Sequence, residues 1–228
     1  IPHPFGFPEP FWWVTCIAPI ARDVTDVALL FSAMSGPDAR DPESLRMLAI
    51  RDEQPKALNI AFHPTLGLGA PVDDDVAEGF AKAMTALRRA GFAMTETAPV
   101  WPSAEDRSSL SAIQFAGLAA IHGALYRADP EAMDPDVAIQ IEQGFGLPAS
   151  EVGRGMETSQ QIRRCLGAFF CEYDLMLSPT TPCGAWPHTE LGPAKIGGKA
   201  VDARGHAVFT PLYNHGQNPA ISIPCGRG

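Results

Sequence analysis

Two short apolar runs with an amphipathic segment between them limit what this chain can fold into. Residues 57–62 (ALNIAF) and 92–97 (FAMTET) have the composition of strands. The segment between them opens on Asp73-Asp74-Asp75 and stops at Gly91. At helical spacing it places Val76, Phe80, Ala83, Met84 and Leu87 on one side. Strand, helix and strand joined by short returns are the grammar of a βαβ unit, and hence of an α/β sheet. The three aspartates have the composition of a cation site. At a helix start they are read instead as caps that favour the positive end of the helix dipole.

The same reasoning extends to both sides of this unit. A helix is expected over 23–35, capped by Asp23 or Thr25, with Val24, Val27, Ala28, Phe31 and Met34 on one face and Gly36 at its stop. Gly36-Pro37-Asp38 forces a turn, and 38–42 reads as a polar loop that pairs with itself. Helices are expected over 104–128, 135–143 and 150–172, broken at Asp129-Pro130 and at 144–148. In the last of these, Ile162, Leu166, Phe169 and Phe170 form a core stripe. Residues 174–178 suit a third strand, 183–208 a Gly/Pro-rich loop, and 220–224 a final buried strand. The first twenty residues, rich in Pro, Phe and Trp, read as an extended arm whose rings need apolar cover.

Composition excludes several classes of function. The 228 residues are 46% hydrophobic and 19% charged, an ordinary globular balance. Lys and Arg number 17 against 26 Asp and Glu, so the net charge of −9 disfavours a nucleic-acid partner. No uninterrupted apolar run approaches the roughly 18–20 residues of a membrane span, and a soluble, cytoplasmic protein without membrane partners is expected. The five cysteines are scattered and lack CxxC spacing, so they read as inert thiols. The six histidines show no paired ligand spacing, and neither a metal nor a cofactor is expected. GxSxG, HExxH and dinucleotide fingerprints are absent. Gly197-Gly198-Lys199 has the ending of a phosphate loop but continues with Ala200 where Ser or Thr would hold magnesium, so it reads as a glycine turn.

Three longer stretches carry a family resemblance. Residues 17–45 (IAPIARDVTDVALLFSAMSGPDARDPESL), 173–182 (YDLMLSPTTP) and 209–226 (FTPLYNHGQNPAISIPCG) stand in this order along the chain. They resemble the motifs GPxxRxVxDxALLxxxxxGxDxxDPxS, YDxLLxPTxP and xTxxxNxxGxPAxSxPxG of the C-terminal half of amidase signature enzymes. The resemblance implies an α/β fold with a central mixed β-sheet flanked by helices, and hydrolysis of carboxylic amides. It also implies a serine nucleophile, a second serine at a cis peptide and a lysine, none of which maps onto this sequence. Residues 1–228 therefore read as the C-terminal portion of a single domain, inactive alone and incomplete in its sheet. The start at Ile1-Pro2 without an initiator Met agrees with that expectation.

What remains would form one wall of a cleft for a small amide substrate. Its candidate lining residues are Trp12, Trp13, His122, Thr180, Thr181, Trp186, Thr210 and Asn214. Two departures from the pattern stand out. Ala18 replaces a glycine, and Asn218 rather than glycine-x precedes Pro219. The amidase-like subunits of glutamyl- and aspartyl-tRNA amidotransferases carry an acidic residue just before the strand expected at Thr210, where this chain has Ala207-Val208. That favours a general amidase over the amidotransferase component. A non-catalytic binding module is the remaining alternative. Apolar edges left open by an incomplete sheet predict self-association of the chain.

Overall fold

The computed structural model describes residues 13–42, 44–46, 57–202 and 204–226. The chain divides into two compact units, Ile1–Gln54 with Ser108–Met156 and Pro55–Arg107 with Glu157–Gly228.

In the first unit, α1 (Val24–Met34) starts where expected, with the Asp23 carboxylate accepting the Asp26 N–H at 2.9 Å. The helix buries none of its residues; Leu29 is 69% exposed, and Ile20 just before the helix is 93% exposed. The loop after it pairs with itself as expected. Arg40 donates to both carboxylate oxygens of Asp38, and the buried Ser44 hydroxyl accepts the Asp38 N–H at 2.8 Å. The arginine beside it holds the Asp38 carboxyl down to about 2.

Residues 108–156 of this unit contain a helical hairpin. The short α3 (Ala104–Ser108) ends where this stretch begins, and α4 (Leu110–Ala128) packs on α5 (Pro135–Phe145) at backbone contact. A Cβ added at Gly144 would lie 2.0 Å from the Phe115 carbonyl oxygen, and one at Gly123 would meet the Phe145 ring at 2.8 Å. Gln114 donates to the Gln140 side chain at 2.7 Å, and the Arg127 guanidinium lies 4.1 Å from the centre of the Phe145 ring. By length and composition alone the 25-residue stretch Ala104–Ala128 could cross a bilayer. No unbroken apolar run marks it in the sequence, because the stretch is apolar only on average.

The second unit holds the sheet. Strand β1 (Ile60–Phe62) lies between β2 (Met94–Glu96) and β3 (Leu175–Leu177), parallel to both, with Ile60 opposite Met94 and Leu175. All three β1 residues are buried, as a central parallel strand requires. The α2 helix (Asp74–Arg89) crosses from β1 to β2 and packs Phe80 and Met84 on Phe62, with Ala83, Leu87, Met94 and Leu177 around them. Asn59 and Asp174 lock the entry of β1 and β3: the Asp174 carboxylate accepts the Asn59 N–H, and the Asp174 N–H donates to the Asn59 carbonyl, each at 2.8 Å. α6 (Ala149–Phe169) ends before β3.

Four expectations are corrected or refined. The central three strands are all parallel, and antiparallel pairing of described strands is confined to the separate hairpin β4 (Lys195–Ile196) and β5 (Lys199–Ala200). Gly197 and Gly198 form its turn, both at positive φ, as a two-residue hairpin demands. Asp73 precedes α2 without capping it; its carboxylate instead accepts the Gly197 N–H at 2.7 Å. Residues 220–224 are not a buried strand: they are exposed, Ile221 by 60%, and no described strand pairs with them. Thr210 opens a helix, α7 (Thr210–Gly216), because Pro211 sits in its first turn and favours a helical start.

The backbone contact at Gly144 gives a direct test. Gly144→Ala is expected to destabilise the protein by about 1–3 kcal/mol through overpacking against α4. Gly79→Ala, in open space on α2, should gain about 0.5–1 kcal/mol. Chemical denaturation of the two variants beside the parent measures both.

Candidate wall of an amide-binding site

The strand order β2-β1-β3 reverses direction between β1 and β3. In parallel sheets ligands bind outside the carboxyl ends of the strands at such a reversal. Here those ends are His63, and Ser178 with the Pro179-Thr180-Thr181-Pro182 bend. The His63 N–H donates to the Leu177 carbonyl at 3.0 Å, extending the pairing by one step. Its imidazole Nδ1 accepts the N–H groups of Thr65 (3.2 Å) and Gly67 (3.0 Å), which puts the ring proton on Nε2. Leu66 and Gly67 both have positive φ. For the buried Leu66 this is strained backbone, held by the Trp101 indole N–H donating to its carbonyl at 2.7 Å.

The bend after β3 is fixed at several points. The Asp73 N–H donates to the Pro182 carbonyl at 2.8 Å, so Asp73 ties together the bend, α2 and the β4–β5 turn. The hydroxyls of Thr180 and Ser222 lie 2.9 Å apart, and Thr181 donates to the Cys183 carbonyl at 3.0 Å. Burial, then the nearby charges of Asp73 and Asp75, push the Cys183 thiol up, which makes it a poor nucleophile. The Trp186 indole donates to the Glu190 carbonyl at 2.9 Å, and its ring lies 4.4 Å from that of His206.

The α7 helix mounts Thr210 and Asn214 one turn apart on the same side. Leu212 and His215 are buried on the other. The His215 Nδ1 lies 3.2 Å from the Ser159 hydroxyl on α6, and burial lowers His215 to about 4. The neighbouring Tyr213 hydroxyl is enclosed beside Ser178; burial pushes it up to about 12, partly opposed by Ser178. Tyr213 and Ser178 thus bring α7 next to the exit of β3.

Thr180, Thr181, Trp186, Thr210 and Asn214 therefore all belong to the second unit. Trp13 and His122 belong to the first, with His122 half-buried in the middle of α4, and Trp12 lies outside the described residues. Sequence reasoning missed His63, Ser159, Tyr213 and His215. The position of His63 directly after a strand was a usable signal, but nothing local links Ser159 to His215, 56 residues apart. The Ser159–His215 pair is sealed, at 5% and 6% exposure, so Ser159 is closed to a substrate. Among the described residues no cluster of His, Cys, Asp and Glu could hold a metal ion.

A family model described as Amidase matches residues 12–228. The chain belongs to the amidase signature family. An acylamidase of Rhodococcus erythropolis is 30% identical over 215 residues, which is 91% of this chain and 45% of that protein. A component of the glutamyl-tRNA(Gln) amidotransferase of Symbiobacterium thermophilum is 28% identical over 247 residues, 92% of this chain and 48% of that one. The chain thus spans less than half the length of these relatives. A bacterial aryl acylamidase of the amidase signature family superposes with a TM-score of 0.73 at 21% identity, over 87% of this chain and 44% of that structure. That superposition establishes the partial α/β fold.

Burial of His215 makes the stability of the chain acid-sensitive. Unfolding lets the imidazole take up a proton near its ordinary 6.5, whereas the folded state resists until about 4. The contribution is complete above pH 6.5, declines as the pH falls, and is gone below about 4. Its full size is about 3 kcal/mol. His215→Asn should remove this component, seen as a shallower loss of denaturant stability between pH 7 and 4 than in the parent.

Proposed function

We propose that the protein to which this chain belongs hydrolyses the C–N bond of a small carboxylic amide, releasing a carboxylate and an amine. The family match over 12–228 carries this reading, and the match to under half of each relative's length supports its second element. That element is a serine–serine–lysine centre encoded outside these residues, for which the chain supplies a wall. In such a centre neutral lysine draws a proton through the bridging serine. The nucleophilic serine then attacks the carbonyl, and backbone N–H groups hold the oxyanion. Water resolves the acyl-serine. The contiguous match also supports treating the chain as the C-terminal portion of one domain.

Thr180, Thr181, Trp186, Thr210 and Asn214 line the substrate side in this reading, supported for Thr180 and Thr181 by their place just after β3 at the β1/β3 reversal and for Thr210 and Asn214 by the approach of Tyr213 on α7 to Ser178. Trp12, Trp13 and His122 are lining residues by family resemblance alone. The sealed Ser159–His215 pair and the inert Cys183 thiol support the further reading that these 228 residues are inactive by themselves. Five free cysteines fit a reducing, cytoplasmic setting.

Assaying aryl- and alkyl-amide turnover tests both elements. The full-length protein should hydrolyse amides and be silenced by serine-directed reagents, while the 228-residue chain shows no turnover. Robust serine-reagent-sensitive turnover by the short chain overturns the second element. Absence of turnover in the full-length protein overturns the first. The amidotransferase reading, favoured by the relative from Symbiobacterium thermophilum, requires partner proteins to co-purify with the full-length protein.

The apolar residues exposed on α1, with Ile221 and Ile223 near the other end, support self-association of the isolated chain. Light scattering from tens of micromolar upward should report a mass above 24.4 kDa. Leu29→Glu and Phe31→Glu together should bring it towards the monomer. A monomer at all concentrations refutes self-association.

A further inference from the structure

We propose that His215 is a positioning residue for the substrate wall: its buried hydrogen bond to Ser159 sets the rotation of α7 and so aims Thr210 and Asn214. The proposal rests on the reading above, which gives Thr210 and Asn214 their lining role.

A seven-residue helix has little stability of its own and takes its orientation from what it touches. Besides Tyr213 beside Ser178, three contacts hold α7. Leu212 is buried, which resists withdrawal but sets no direction. Gly216 rests on α6 so closely that an added Cβ would lie 2.2 Å from the Leu166 Cδ1. That contact fixes the distance between the helices. The hydrogen bond between His215 and Ser159 is directional, and turning the helix would leave a buried imidazole nitrogen and a buried hydroxyl unpaired.

The partner helix is itself held at this turn. Thr158, next to Ser159, donates its hydroxyl to the Asp106 carbonyl at 3.2 Å, and Ile162 and Leu166 on the same side of α6 are fully buried. Asn214 precedes His215 by about 100° around α7, and Thr210 lies one turn below Asn214. A rotation of about 20° would move side-chain tips, about 5–6 Å from the helix axis, by roughly 2 Å. A displacement of that size matters where a substrate must be held in register. His215 is closed to solvent, so it acts on substrate only through the face that it orients.

Steady-state kinetics on the full-length protein, with hydrogen exchange of the amides of residues 210–216, tests the proposal. His215→Leu and Ser159→Ala should each raise KM for an amide about tenfold or more, with kcat within about threefold. The double variant should be no worse than the poorer single one, because both remove the same bond. His215→Asn, which keeps a hydrogen-bonding atom near the place of Nδ1, should restore KM to within about threefold of the parent. In His215→Leu the amides of 210–216 should exchange faster while those of β1 and β2 do not. A lower melting temperature with unchanged KM and unchanged exchange overturns the proposal. If His215→Leu does not fold, Ser159→Ala carries the same comparison. Should the parent turn over no amide, the functional reading fails by itself. Unaltered protection of 210–216 would then still overturn the positioning role, and selective loss of it would support that role.

Discussion

Strand β1 is paired on both edges, and the second unit is located by that pairing. Three residues make a short strand, so its stability comes from burial and from neighbours on both sides. Parallel neighbours cannot be joined by a tight turn. The chain leaves β1 through α2 to reach β2, and reaches β3 only after the helices up to α6. In exchange, all three carboxyl ends emerge at one edge, where His63, Thr97 and Ser178 begin their loops. The Asn59–Asp174 exchange locks the register at the opposite end. A one-residue slip there would move the whole Pro179–Pro182 bend away from its anchor on Asp73.

Where a signal was local, it was legible in the sequence. The βαβ unit, the cap at Asp23, the self-paired Asp38 loop and the Gly197-Gly198 turn are each specified by residues within a few positions of one another. The failures required distant partners. Residues 220–224 have the β-branched, apolar composition of a buried strand, but a strand also needs an edge to pair with, and composition does not supply one. Asp73 stands at a cap position, yet the Gly197 N–H, 124 residues away, takes its carboxylate. Thr210 was a different case: Pro211 in the first turn was a readable helix start, and it was outweighed by the strand expected from resemblance.

The candidate site divides in the same way. Thr180 and Thr181 follow a strand whose end was foreseen, and they stand just after the carboxyl end of β3. Tyr213, Ser159 and His215 were invisible because their roles arise from packing of α7 on α6 and beside β3. The only sequence trace of that packing is the pair His215-Gly216, where a polar ring and a residue without a side chain sit together at a helix end. Each is explained by the closeness of α6: the glycine by the Leu166 methyl, the imidazole by the Ser159 hydroxyl.

The polar groups of the second unit are largely committed to one another. Thr180 meets Ser222, Thr181 and Trp186 donate to nearby carbonyls, Asp73 holds the hairpin turn, and His215 holds α6. Thr181 and Trp186 donate to backbone carbonyls, which cannot act as general bases, and the Ser159–His215 pair is buried. Groups engaged in this way are good supports, because each bond removes a freedom that a bound substrate would otherwise have to remove. Under the proposed function, such a wall would contribute through orientation and exclusion of water. The enclosed, raised Tyr213 hydroxyl fits that role: it stays protonated at any physiological pH and adds no charge beside the exit of β3.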